Sequence, residues 1–230
     1  SGENIEFLVV LPDGGGVMYD GSFYTNSNLN GNFEDYIVYD LIEHIDSNFR
    51  TIPNNSNRAI SGHSMGGFGA MKIGMKNTTI FSSISAHSGP IALEELDNDL
   101  LIFYLQVENN FGEFDPDNGN LTEMFFAMSA AFTPNLNNPP YYVDLPITSI
   151  GNIIDELFDQ WMIHDPYHLI DDYIQELNTV QIYFDCGQWD EFQLHSHGEL
   201  FSQNLSELGI DHEFVSYLGD HTSEVYERLE

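Results

Sequence analysis

The chain has 230 residues, 42% of them hydrophobic, enough to bury one full-sized core, and a single domain over 1–230 is expected. Five Lys and Arg stand against 37 Asp and Glu, a formal net charge of -32. Such a surface repels nucleic acid and anionic membrane, so both are poor partners.

Taken in order, Ile5-Glu6-Phe7-Leu8-Val9-Val10-Leu11, closed by Pro12, predicts a strand buried on both faces. Asp13 to Gly16 then forms a loop at its carboxyl end, where α/β proteins place ligands. Residues 19–32, rich in Asn, Gly, Ser and Tyr, read as a surface loop near that edge. From Phe33 to Phe49, Ile37, Leu41, Ile45 and Phe49 recur every four positions, the stripe of an amphipathic helix. Pro53 breaks it, and 57–61 predicts a short strand, with a helix at 69–75 and a strand at 81–86 after it. Residues 91–178 are too long for one crossover helix and read as an insertion near the functional edge. Within it 93–111, 121–131 and 153–161 look helical, 134–146 extended, and Asp165-Pro166 starts another short helix. Its aromatics are expected to be core more often than pocket lining. The alternation then returns, with a strand at 179–185, a helix at 195–208, a strand at 212–217 and a short helix at 224–229.

Gly62-His63-Ser64-Met65-Gly66 lies between the strand at 57–61 and the helix at 69–75. This is the pattern of a serine on a strained strand-to-helix turn, with glycines two positions either side for clearance. Gly67 and Gly69 are expected to bring the helix close to the sheet. Neither a phosphate-binding Gly-Lys-Ser/Thr loop nor a dinucleotide-binding loop fits these residues.

A serine hydroxyl needs an imidazole to take its proton and an acid to orient the imidazole, in the chain order Ser, acid, His. His221, in the Gly219-Asp220-His221 loop after the last strand, is the leading base among nine histidines. His63 is assigned to orientation or packing. His87, His195 and His197 are weaker candidates, and His44, His164, His168 and His212 are structural. Asp190 is the expected acid, in the loop after the strand at 179–185. Asp185 ends that strand, Glu191 points away if Asp190 points in, and Asp220 is merely adjacent to the base. The backbone N–H of Met65 is the expected donor to the oxyanion. Asp115-Pro116-Asp117-Asn118-Gly119 is half a calcium loop without its closing glutamate, and His195-Ser196-His197 offers two ligands at most, so no metal is expected. No cofactor is expected either.

These blocks, with Val9-Val10-Leu11-Pro12-Asp13-Gly14, Glu34-Asp35-Tyr36, Asn57 to Ala70, Ser85 to Gly89 and Tyr183 to Gly187, resemble the esterase D-type putative esterases of the α/β-hydrolase superfamily. That group includes S-formylglutathione hydrolases, feruloyl and acetyl-xylan esterase modules, small-acyl esterases and mycolyltransferase-like proteins. The resemblance implies a mostly parallel central sheet with helices on both faces and a triad of Ser64, Asp190 and His221. It also implies hydrolysis of small-acyl carboxylic esters or thioesters through an acyl-enzyme. In the group an earlier strand ends in a His-Gly loop that supplies the second oxyanion donor, and no such segment precedes 5–11 here. The expectation is a sheet lacking its first strands, its apolar edge covered by self-association or a companion N-terminal fragment, or Asp13 to Gly16 in the donor's place. Aromatics usual after the histidine are here Ser223 and Tyr226, which implies looser packing behind it.

A carboxylesterase-type serine hydrolase is therefore the leading reading. The alternatives are an acyltransferase with the same triad, or a non-catalytic binding protein built on a crippled hydrolase. Cys186 is the sole cysteine, which rules out an intrachain disulfide. No apolar run approaches membrane-spanning length, and residues 1–20 lack the pattern of a secretory leader. The compartment stays open between the cytoplasm of a high-salt organism and secretion into a saline environment. A charge of -32 repels itself at low ionic strength, and salt screens that repulsion. Thermal midpoint and activity should therefore both rise from low to molar NaCl. Fold content and activity that stay level across that series would oppose adaptation to salt.

Overall fold

The computed structural model of the chain describes residues 6–228, and within them the strand expected at 5–11 does not form. Ile5 lies outside the described residues. Residues 6–16 carry no regular structure, and Phe7, Val9 and Leu11 are 82%, 65% and 89% exposed. Strand propensity is realised only when a neighbouring ladder takes up the backbone N–H and C=O groups, and no described strand flanks this run.

Residues 19–32 also depart from expectation. Tyr19, Ser22, Phe23, Thr25 and Asn30 are buried, and the segment holds a small hairpin, β1 (Asn26–Ser27) against β2 (Gly31–Asn32). Polar groups can enter a core when each is partnered. Ser22 donates through N–H and hydroxyl to the Gly14 carbonyl, and the Tyr19 hydroxyl donates to the Tyr141 carbonyl at 2.8 Å. The helical stretch that follows joins α1 (Phe33–Asp35), a π-helical segment (Tyr36–Leu41) and α2 (Ile42–Asn48).

The sheet has four parallel strands in the order β3 (Ala59–His63), β4 (Ser83–His87), β5 (Gln181–Gly187) and β6 (Glu213–Tyr217). Between β3 and β4 runs α3 (Met65–Lys76), which starts immediately after Ser64, four residues before the expected helix. The region 91–178 contributes α4 (Asp99–Glu108), α5 (Asn120–Phe132), α6 (Asp155–Met162) and α7 (Pro166–Leu177). The helix expected to be short at 165 is continued to Leu177 across a kink at Tyr173, with Asp165 capping its start and Ile170 and Leu177 buried in the core. The stretch 134–146 turns back on itself through a Pro134–Val143 bridge instead of extending. After β5 come α8 (Leu194–Glu207) and, past β6, α9 (Val225–Arg228). No helix among the described residues is long and apolar enough to cross a membrane.

Strand period divides the sheet into two unlike faces. Ile60, Ile84, Ala86, Ile182, Phe184 and Phe214 point to the side where α3, α7 and α8 supply Met71, Met75, Ile170, Leu177, Phe201 and Leu205. The other rows are polar. One runs Ser61, Ser85, Tyr183, Glu213 and the next His63, His87, Asp185, Val215 across the paired strands. Helices thus meet both faces unequally. On the polar side α9 reaches the sheet through Arg228, which donates to the Tyr183 hydroxyl at 3.1 Å and lies 4.6 Å above the Tyr217 ring.

One cation is carried inside. Lys72 on α3 is 1% exposed, with Nζ 3.2 Å from Glu34, against the Thr25 hydroxyl and 5.4 Å above the Phe68 ring. Lys76 pairs with the same Glu34. Burial, only partly offset by Glu34, pushes the Lys72 ammonium down from 10.5 to about 8. Between those two values the unfolded chain holds a proton that the folded chain has released, so stability rises with pH through that window. The contribution reaches up to about 3 kcal/mol. Denaturant unfolding at pH 7.5 and 10 should show that gain in the wild type and a smaller one in Lys72→Met; equal slopes would assign the pH dependence to other groups.

Candidate active site

At the carboxyl end of β3 the chain reverses into α3 through Ser64, whose φ of 56° and ψ of -120° are strained for a residue with a side chain. Two backbone bonds hold the bend: Ser64 N–H donates to the His87 carbonyl at 2.8 Å, and Phe68 N–H donates to the Ser64 carbonyl at 3.1 Å. Of the two glycines expected to give clearance, Gly62 does so. A Cβ there would sit 2.2 Å from the Gly66 carbonyl oxygen, whereas one at Gly66 would meet nothing within 4 Å. Gly67 closes on the end of β4, with a Cβ position 3.0 Å from the His87 carbonyl oxygen, while the face of Gly69 meets the Tyr24 ring and not the sheet.

The structure brings Ser64, His221 and Asp190 together. Ser64 Oγ is 2.8 Å from His221 Nε2, and His221 Nδ1 is 2.7 Å from Asp190 Oδ2. The Asp190 side chain is wholly buried and its other oxygen accepts Phe192 N–H at 2.9 Å and Leu194 N–H at 3.5 Å. Cys186 adds its thiol to Oδ2 at 3.5 Å; burial, with the nearby carboxylate, pushes that thiol well above its usual range, so it stays protonated. The carboxylate is thus fixed by several donors and its lone pair is aimed at the imidazole.

The imidazole is clamped from three sides. His63 and Phe192 lie against it, each with ring centroids 4.9 Å away, and His63 Nε2 is 2.8 Å from the His221 carbonyl oxygen. Burial keeps the His63 ring below its ordinary range, so it is a neutral prop. Glu191, set aside in the sequence, accepts the His221 backbone N–H at 3.2 Å. An acidic residue beside Asp190 carries no sequence signal for this, since the bond goes to main chain. Phe192 supplies the packing that the resemblance assigned to aromatics after the histidine, and Tyr226 is 86% exposed. Asp220 is spent within its own turn, accepting Thr222 and Ser223 N–H groups at 3.1 and 2.9 Å.

The remaining histidines have other partners. His87 Nδ1 is 3.0 Å from Asp185 Oδ2 and its Nε2 is 2.9 Å from Ser85 Oγ, with Tyr183 donating to the same carboxylate at 2.8 Å. His195 meets Ser216, and His197, held at about 3 by burial, accepts Ala92 N–H at 3.3 Å. His164 stacks on Phe132 and is held at about 4 by burial. His168 pairs with Asp165 at 2.7 Å, His212 with Ser202, and His44 is exposed. Asp115 caps its turn through Asp117 N–H and accepts the Tyr141 hydroxyl, and no cluster of three metal-ligating side chains occurs among the described residues.

A cavity of about 180 Å³ opens beside Ser64 and Met65. Phe23, Pro90 and Phe192 give it apolar walls, and α5 closes one side with Asn120, Glu123, Met124 and Ala127. The loop Asp13 to Gly16 does not line it; Asp20 and Phe23, further along, do. Met65 opens α3, so its N–H has no acceptor within the helix and lies at the positive end of the helix dipole. An anion formed on a group held by Ser64 would meet that N–H.

A protein-family model described as "Putative esterase" matches residues 3–228. The chain is 41% identical over 90 residues to Esterase Rv1288 of Mycobacterium tuberculosis, a match covering 37% of this chain and 19% of that protein. The S-formylglutathione hydrolase of Staphylococcus aureus superposes with a TM-score of 0.58 at 18% identity, over 91% of this chain and 66% of its own. A ferulic acid esterase superposes with a TM-score of 0.55 at 19% identity, over 92% of this chain and 61% of its own. At those identities the likeness is one of fold, and the fold is that of the α/β-hydrolase esterases. A four-stranded parallel sheet, a serine at its strained bend and a match along nearly the whole length place this chain in the putative esterase family.

Proposed function

We propose that the chain is a serine hydrolase of small carboxylic esters working through an acyl-enzyme. The observation that carries this reading is the continuous hydrogen-bonded line from Ser64 Oγ to His221 to Asp190, with steps of 2.8 and 2.7 Å. In this reading Ser64 Oγ attacks the ester carbonyl carbon while His221 Nε2 takes its proton. Asp190, held by backbone N–H groups, keeps Nδ1–H pointing at itself and stabilises the imidazolium. The tetrahedral oxyanion forms toward the Met65 N–H at the start of α3. As the carbonyl reforms, His221 returns its proton to the departing alkoxide, leaving the acyl group on Ser64. Water then repeats the sequence, with His221 as base and Ser64 as leaving group. Exposed Asp20 and Asn120 at the cavity rim leave the acyl-enzyme open to solvent, which favours hydrolysis over transfer to another alcohol.

A panel of p-nitrophenyl esters from acetate upward tests this. The wild type should turn over the short members with a burst of p-nitrophenol, and Ser64→Ala should abolish the burst and lower kcat by roughly 10⁴-fold or more. Asp190→Asn should cost on the order of 10⁴-fold by presenting the wrong tautomer. Retention of activity within a few-fold in either variant would remove that residue from its role.

A further inference from the structure

The cavity at Ser64 holds two carboxylates that the reaction above does not use. Asp20 stands at its exposed rim, and Glu123, half-buried on α5, also lines it. No Lys or Arg lines the cavity among the described residues. The chain's five such cations are committed elsewhere: Arg50 to Glu6, Arg58 to Asp46, Lys72 and Lys76 to Glu34, and Arg228 to Asp185 and Glu224. Neither Asp20 nor Glu123 is in an ion pair with them. No cationic side chain offsets their field, which therefore falls on whatever occupies the cavity.

Resting on the esterase reading of Ser64, we infer that Asp20 and Glu123 set substrate charge: the site accepts esters whose group seated in the cavity is neutral or cationic and rejects those carrying an anion there. The diffuse surface charge of -32 acts on every approaching solute, but salt screens it beyond roughly 8 Å at physiological ionic strength. Two carboxylates inside the binding space act at shorter range, so their effect belongs to these residues and can be removed with them.

The test uses esters matched in length. On the acyl side these are p-nitrophenyl hexanoate, the p-nitrophenyl half-ester of adipic acid and p-nitrophenyl 6-aminohexanoate. On the alcohol side they are 3,3-dimethylbutyl acetate, 3-acetoxypropanoate and acetylcholine. Each kcat/KM is normalised to the ester's rate with hydroxide, and ratios within one preparation cancel the active fraction. In at least one series the wild type should disfavour the anionic member roughly tenfold against the neutral one. Asp20→Asn and Glu123→Gln should each raise the anionic-to-neutral ratio three- to tenfold and lower the cationic-to-neutral ratio, and molar salt should compress both ratios in the wild type. Ratios unchanged by both substitutions, or equal in the wild type for both series, would overturn the inference while leaving the hydrolase reading intact. Failure of the wild type on the neutral esters themselves would overturn the hydrolase reading, and charge selection with it.

Discussion

The hydrogen bond from the Ser64 amide to the His87 carbonyl is the contact on which the candidate site depends. It fastens a residue with unfavourable backbone angles to the end of the neighbouring strand, and strain of this kind costs on the order of 1–3 kcal/mol unless its surroundings impose it. The imposition is steric as well as polar. Because Gly62 lacks a side chain, the Gly66 carbonyl can sit where a Cβ would be, and α3 can begin without an intervening loop. The hydroxyl is thus delivered by the sheet register, since His63 lies opposite His87 and His87 opposite Asp185.

The same register explains why the two sheet faces differ. One is closed by apolar side chains from three helices; the other carries serines, histidines, Tyr183 and Asp185. Buried polar groups are tolerable only when partnered, and here two neighbouring rows partner each other through Ser85, His87, Asp185 and Tyr183. One oxygen of Asp185 is left without a hydrogen bond. Of the five cations, Lys72 and Lys76 pair with Glu34, and Arg228 approaches Asp185 on the polar face at 4.0 Å.

That Ser64, Asp190 and His221 would meet was legible in the sequence because the turn at Ser64 is a local signal and the other two sit in loops after recognisable strands, and the four sheet strands because their residues favour strands and end in glycine, serine or histidine turns. What the sequence hid was tertiary. The run Phe7 to Leu11 has the composition of a buried strand, yet composition cannot report whether a ladder stands beside it. Residues 19–32 look like surface, yet the Gly14 and Tyr141 carbonyls satisfy their hydroxyls and allow them inside. Gly66 and Gly69 fit a motif, but only coordinates show what a side chain there would strike. Glu191 was misplaced because its partner is a peptide N–H, for which no residue type is diagnostic.

The attachment of α9 has a mechanical corollary. The segment bearing His221 leaves the sheet at Tyr217, which lies opposite Gly187 of β5, and comes back at Arg228, which grips Tyr183 of that same strand. Midway, Trp189 N–H donates to the Gly219 carbonyl at 2.9 Å. The imidazole therefore rides on an arch with both feet on one strand, not on a dangling tail. On warming, the arch can swing freely only once that strand loosens, so the spacing between base and hydroxyl is expected to survive until the central sheet itself gives way.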